Sequence, residues 1–392
     1  MTAAPPSLFP HEQEFIDRCR PDVGGHGLQQ RAYVLGRSSI PLRPWIAARH
    51  QVIGPSMRQR RIGATDLSIS EIGFGCGGNA GLMVSGEAAE QVRVIAQALE
   101  RGITYFDNAP DYGDGKAEEN LGLALKELGA RPVITTKVEI RAENLEDISN
   151  HIVRSVEDSL RRLQVDTIDI LQIHNGPVAQ PRVMEGAYYG TLWLEDYLRP
   201  GGAIEGVRRI LESGKARHAG FICRGNDSSE VGTLLKTGLF HLINLPYTLL
   251  NPTAGRFGPC PRPAPDYGNV IGAAQAAGAG IAVFSPLAGG LLTDNLVAGQ
   301  QTHPLARRKD IGKLEAKGEL ARARRFQEIA QANDMRLAEL AYRFILSDSG
   351  VSTLIGGFSA ADQINVAAAA SSAGPLDAAQ FAAIEKIWSR FE

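Results

Sequence analysis

A chain of 392 residues, 44% of them hydrophobic, can bury a large core, either as one α/β barrel or as two ordinary domains. Its 41 Lys and Arg nearly balance 43 Asp and Glu, so no overall field recruits nucleic acid or an anionic membrane, and a small near-neutral molecule is the expected partner. Cys19, Cys76, Cys223 and Cys260 are scattered without a CxxC pair, and the eight histidines form no HxH or HExxH, which argues against a disulfide framework or a metal site and for a cytoplasmic protein.

Residues 1–56 are rich in proline and carry no sustained periodicity, so they read as an N-terminal extension with little fixed structure. They lack a basic region followed by an apolar one, and no run in the chain reaches the roughly 18 apolar residues that span a bilayer. From Met57 onward the pattern changes, and residues 57–392 read as one domain. Strands are predicted at Ile69–Gly73, Thr104–Asp107, Val133–Lys137, Ile168–His174, Ala216–Ile222, Leu242–Pro246, Ile281–Ser285 and Ser352–Ile355. Between them, segments 87–102, 117–129, 145–163, 201–214, 228–238, 267–278 and 320–333 space apolar residues by threes and fours, several ending at Gly. Eight β/α units in about 300 residues is the count of a TIM (β/α)8 barrel, an α/β fold. Residues 175–201 and 286–319 are long loops after strands 4 and 7, on the face where such barrels build active sites.

The segment "GFGCGG" satisfies G-x-G-x-x-G after a strand, as a dinucleotide-binding sheet would. Such a sheet needs an acid about 20 residues on, at the end of its second strand, and Asp107 lies too far along. These glycines are therefore expected to permit close backbone approach at the first barrel strand.

Side chains at the C-terminal ends of barrel strands converge. Strand two ends in Asp107, strand three in Lys137 and strand four in His174, with Tyr112 in the loop past Asp107. A phenol, with a reference pKa of about 10, exchanges protons more readily near neutrality if an ammonium stabilises its phenolate, and Lys137 is placed to do so. Asp107 can hold that lysine charged, and His174 can place a substrate oxygen against the phenol; Asp111, beside Tyr112, reads as a bystander.

Taken together, "RRIGATDLSISEIGFGCGG", "GITYFDNAPDYG", "TTKV", "SLRRLQVDTIDILQIHN", "SGKARHAGF", "LPYTLLNP", "FSPLAGGLLT" and "VSTLIGGFSAADQ" resemble the aldo-keto reductase family in order and spacing. The resemblance implies that Tyr112 is the general acid/base, that Lys137 tunes it, that Asp107 pairs with the lysine and that His174 orients the substrate oxygen. It implies a nicotinamide cofactor, NAD(P)(H), lying across the barrel mouth. Asn244 stands where the family has a carboxamide-binding Gln, and Tyr247 where an aromatic ring stacks on nicotinamide; a core tyrosine is the alternative. Ser285, Leu287, Gly289 and Gly290 match a turn facing the pyrophosphate, and Gly357, Ser359 and Gln363 match the adenosine end. After strand five Ile222 and Cys223 replace the usual Ser-Asn. Ser359 replaces the basic residue that pairs with a 2′-phosphate, which favours NAD(H), although Arg307 to Lys309 could supply a charge from the loop.

Tyr188, Tyr189 and Trp193 could wall a pocket for a ring-shaped substrate. The opening segment and "LLNP" look similar to the aldose and galactose dehydrogenase branch, so both oxidation of a sugar or polyol hydroxyl and reduction of an aldehyde or ketone are expected candidates. A non-catalytic subunit that senses cofactor beside another protein is the alternative from a different class. The sequence sets no oligomeric state.

Overall fold

The computed structural model describes residues 57–180, 190–223, 228–255, 266–307 and 309–390. Eight strands, β1 (Ile72–Gly75), β2 (Tyr105–Asp107), β3 (Val133–Val138), β4 (Ile168–Ile173), β5 (Ala216–Ile222), β6 (Phe240–Pro246), β7 (Gly280–Phe284) and β8 (Val351–Gly356), form a closed barrel in chain order. Every neighbouring pair is parallel, and β8 pairs with β1 to close the ring. The fold is the expected TIM (β/α)8 barrel. Strands in such a barrel meet side chains on both faces, and β4, Ile-Asp-Ile-Leu-Gln-Ile, is buried at every position.

The helices cover the outside. Helix α1 (Ala88–Glu100) buries Val94, Ile95 and Ala98; α2 (Lys116–Leu128) buries Ala117, Leu121 and Ala124 and stops at Gly129, whose left-handed backbone has φ 61. Helix α3 (Ile148–Leu163) turns Ile152, Val156, Ser159 and Leu163 inward at the three- and four-residue spacing read from the sequence. The ring continues with α4 (Ala203–Glu212), α5 (Ser228–Leu235), α6 (Val270–Ala276), α7 (Glu319–Ala332), α8 (Leu337–Leu346) and α9 (Ala361–Ala373). A last helix, α10 (Ala378–Trp388), is pinned by Trp388 Nε1, which donates to the Leu249 carbonyl at 2.8 Å.

The strand expected over Ile69–Gly73 is in fact two. Ser68–Ser70 pairs antiparallel with Gln59–Arg61, and only Ile72–Gly75 enters the barrel. The break falls at Glu71, 1% exposed, which accepts from Arg58 Nε at 2.9 Å, Arg60 Nε at 2.8 Å and Ser371 Oγ at 2.8 Å. A carboxylate cannot be buried without such partners, and meeting them takes the chain out of the hairpin. The hairpin plugs one end of the barrel, where Ile62, Leu67 and Ile69 pack on Tyr105, Ile170, Leu242 and Ala282.

The glycines of "GFGCGG" do what close approach requires. A Cβ on Gly73 would lie 2.5 Å from Tyr105 Cδ1, and one on Gly75 2.8 Å from Ile355 Cγ2. Both long loops emerge as expected. After β4, Gly176–Val178 pairs with Thr191–Trp193 and leads into a short helix, Leu194–Leu198; after β7 come short helices at Asp294–Val297, Pro304–Arg307 and Ile311–Ala316. Among the described residues no helix is long and apolar enough to cross a membrane. The extension over residues 1–56 lies outside the described residues, as do Cys19 and Cys260, whereas Cys76 and Cys223 are buried.

Candidate active site

The barrel brings Asp107, Tyr112, Lys137 and His174 together at the C-terminal ends of β2, β3 and β4. Lys137 is 1% exposed, and its Nζ donates to Asp107 Oδ1 at 2.5 Å, the Asn108 carbonyl at 2.7 Å and the Tyr112 hydroxyl at 3.3 Å. Three donors thus meet three acceptors, which is what a buried ammonium needs. The same Nζ lies 5.0 Å from the centre of the Tyr112 ring, and the His174 ring stands edge-on to that ring at 6.1 Å between centroids.

Local structure fixes each member. The turn after β2 is closed by Asn108, whose Nδ2 donates to the Ala117 carbonyl at 3.0 Å, and by the Tyr112 amide on the Ala109 carbonyl at 3.2 Å. Gly113 follows with φ 66, and a Cβ there would meet Val84 Cγ1 at 2.5 Å, so only glycine lets the turn carry the phenol inward. Two supports were missed in the sequence. Glu118, fully buried, accepts from Thr136 Oγ1 and from Arg162 Nε, the latter at 2.7 Å, and so ties α2 and α3 to the residue before Lys137. Asn175 exchanges two 2.8 Å hydrogen bonds with the backbone of Ile140, locking the loop after β3 to the residue that follows His174. The segments "AEENLG" and "QIHN" contain both residues, but burial, the signal that singles them out, is not visible in a sequence.

The electrostatics correct one expectation. The Tyr112 phenol is not brought toward neutrality but pushed up to about 12, because burial disfavours phenolate and Asp107 and Asp111 add to it, against the Lys137 ammonium. At Lys137 burial opposes the charge, yet Asp107 and Tyr112 hold the ammonium well above the usual lysine range. The resting pair is a protonated phenol beside a charged lysine.

Asp111 also departs from its expected place. Far from being a bystander, it sets its Oδ1 3.3 Å from His174 Nδ1, with the two side chains 2% and 1% exposed. The turn that carries the phenol inward carries its neighbour inward as well.

The expected cofactor positions divide. Asn244, 1% exposed, has its amide committed inside the barrel: its Nδ2 donates to Asp107 Oδ2 at 3.1 Å and its Oδ1 accepts from Gln172 Nε2 at 2.7 Å. One methylene shorter than Gln, it supports the Asp107 carboxylate instead of reaching out of the barrel. Tyr247 is fully buried, its ring 5.0 Å from that of Phe344, so the packing is that of the core tyrosine and not of an open stacking face. Among the described residues, Phe284, the last residue of β7, is a half-buried aromatic at the end of a barrel strand. Ile222 and Cys223 are buried. After Phe284 the backbone enters the left-handed region at Ser285 (φ 50), Ala288 (φ 48), Gly289 (φ 65) and Gly290 (φ 94), with Leu287 between, a strained turn of the kind found at ligand sites. Gly357 is exposed beyond β8, and Ser359 and Gln363 bond each other, the Ser359 amide donating to Gln363 Oε1 at 2.8 Å. Trp193 is half-buried and donates from Nε1 to the Ala179 carbonyl at 2.9 Å; Tyr188, Tyr189 and Arg308 lie outside the described residues.

A family model described as the aldo/keto reductase family matches residues 71–389. The chain belongs to that family. Among curated proteins it is 31% identical over 202 residues to aldo-keto reductase YhdN of Bacillus subtilis, covering 49% of this chain and 54% of that protein. It is 24% identical over 323 residues to a probable voltage-gated potassium channel subunit beta of Oryza sativa, covering 79% and 89% respectively. L-galactose dehydrogenase of Arabidopsis thaliana is 31% identical over 119 residues, 30% of this chain and 37% of that one. The chain thus spans about half of the YhdN relative, at 54%, and less of the Arabidopsis dehydrogenase. The holo form of aldo-keto reductase AKR11C1 from Bacillus halodurans superposes with a TM-score of 0.63 at 25% identity, over 84% of this chain and 96% of that one.

Proposed function

We propose that the chain is a nicotinamide-dependent oxidoreductase that interconverts a carbonyl and an alcohol at the Tyr112 hydroxyl. The observation that carries this reading is the Lys137 ammonium, buried and bonded at once to Asp107 and Tyr112. In reduction Tyr112 hands its proton to the substrate oxygen; in oxidation its oxygen takes the hydroxyl proton, and Lys137 stabilises the phenolate in between. A positioned acid of this kind contributes about 10²- to 10⁴-fold in rate. His174 holds the substrate oxygen against the phenol.

The residues at the mouth fit the cofactor. Phe284 offers a ring to a flat heterocycle, and the left-handed turn from Ser285 to Gly290 suits phosphate oxygens with a hydroxyl and backbone N–H groups. Gly357, Ser359 and Gln363 would meet the adenosine end. When bound, the nicotinamide supplies or accepts the hydride. Ser359 brings no cation to a 2′-phosphate, which supports a preference for NAD(H).

For the substrate, the half-buried Trp193 supports a ring-shaped molecule, and the likeness to L-galactose dehydrogenase supports a cyclic sugar hydroxyl. The likeness to a potassium channel subunit beta supports a second reading, a cofactor-binding subunit without turnover. Absorbance of reduced nicotinamide, followed with purified protein and a panel of sugars, aldehydes and ketones, separates them. Turnover with any of these supports the enzyme; tight cofactor binding with no turnover supports the subunit.

A further inference from the structure

Behind the reacting groups a line of hydrogen bonds crosses the inside of the barrel. An ionised carboxylate only accepts, and Asp107 takes the Lys137 ammonium on Oδ1 at 2.5 Å and Asn244 Nδ2 on Oδ2 at 3.1 Å. An amide that turns its nitrogen to a carboxylate turns its oxygen the other way, and Asn244 Oδ1 meets Gln172 Nε2 at 2.7 Å. Gln172 lies on β4 directly beside Lys137 of β3 in the parallel register and is fully buried. The direction of each bond is thus set from the Asp107 end, because reversing either amide would bring two acceptors face to face. Holding that direction has a cost: Gln172 Oε1 is buried and has no hydrogen-bond partner among the described residues. An unpaired buried acceptor is destabilising, and a leucine at this position would fill similar space without one. Core packing therefore gives no reason for the amide, whereas the Asp107 carboxylate does.

We propose that Gln172 and Asn244 are positioning residues that aim the Asp107 carboxylate at Lys137 and so keep the ammonium against the Tyr112 hydroxyl. Asn244, itself steered by Gln172, holds the second carboxylate oxygen and stops the group from turning about its Cβ–Cγ bond. The first oxygen then fixes the Lys137 ammonium 3.3 Å from the phenol oxygen. Both ends of the Asn244 amide are taken inside the barrel and only 1% of the residue is exposed, so little of it is left for a cofactor at the mouth. Gln172 acts through Asn244, and Asn244 through Asp107. The catalytic meaning of this inference rests on the oxidoreductase reading; the line of hydrogen bonds does not.

The test compares the full chain with Gln172→Leu, Asn244→Ala and the two combined, reading cofactor affinity by fluorescence titration, kcat at saturating substrate and cofactor, and the urea unfolding midpoint. Asn244→Ala removes a hydrogen bond to a charged group and is expected to lower kcat about tenfold or more, and Gln172→Leu about threefold, while the dissociation constants for NADH and NADPH change by less than about twofold. A cofactor affinity weakened about tenfold with kcat kept in Asn244→Ala overturns the proposal in favour of a carboxamide contact, and an unchanged kcat in a folded Gln172→Leu overturns it as well. The unfolding midpoints need no substrate. Once Asn244→Ala has removed the acceptor, Gln172→Leu no longer breaks a bond and is expected to shift the midpoint upward relative to its effect in the wild type; the same shift in both backgrounds overturns the line of bonds. A wild type that turns over nothing retires the oxidoreductase reading, and the affinities and midpoints still decide whether Gln172 and Asn244 act inside the barrel.

Discussion

Asp107→Asn is the sharpest perturbation of the site, because it removes one charge from a buried pair while keeping its shape and an acceptor oxygen. Lys137 then remains 1% exposed, with the Asn108 carbonyl and the Tyr112 hydroxyl but no counter-ion in contact. Removing one partner of a buried pair costs about 3–5 kcal/mol, and the retained oxygen puts this case near 3 kcal/mol. The pH dependence gives the reasoning a sign. In the wild type the Lys137 pKa is raised, so its stabilising contribution is complete below the ordinary lysine value and is lost only as pH rises through the raised one. Without Asp107, burial dominates and the folded pKa falls below the ordinary value of about 10.4. The unfolded chain then binds more protons, and stability rises with pH by up to about 1.4 kcal/mol per unit between the lowered value and 10.4. Urea unfolding of both proteins from pH 6 to 9.5 reads the difference. A loss under about 1 kcal/mol, together with parallel pH profiles, refutes the buried ion pair as the structural centre of the site.

Two further outcomes follow from particular residues. Gly113→Ala forces a left-handed residue against Val84 and is expected to displace the phenol, lowering turnover about tenfold or more for a stability cost of about 1–2 kcal/mol, read by kinetics beside thermal unfolding. Ser359→Arg places a guanidinium at the expected adenosine end and is expected to tighten NADPH about tenfold or more while leaving NADH nearly unchanged, read by fluorescence titration; equal shifts for both would remove Ser359 from the cofactor site.

The barrel was legible because its strands are short apolar runs at regular intervals, and Ala216–Ile222 was bounded as the structure has it. The helices Leu337–Leu346, Ala361–Ala373 and Ala378–Trp388 were not anticipated. The first places Leu337, Leu340, Ala341, Phe344 and Ile345 on one face at helical spacing, but Tyr342 and Leu346 are buried beside them and narrow the polar side to the stretch around Glu339 and Arg343; the second is rich in alanine, which gives little contrast between its faces. Asp107, Lys137 and His174 could be placed because strand ends converge. Asp111 could not, since the direction of a side chain in a turn depends on φ values that the sequence gives no way to read. Tyr247 was misplaced for a similar reason: one residue past the strand, its ring turns into the core.

The central claim is that Tyr112 moves the proton. It is tested most directly by Tyr112→Phe, which keeps the ring and deletes only the hydroxyl that Lys137 reaches at 3.3 Å. With any substrate the wild type turns over, the variant is expected to lose about 10²-fold or more in kcat while binding the nicotinamide cofactor with nearly unchanged affinity. A variant that keeps wild-type kcat would contradict the account.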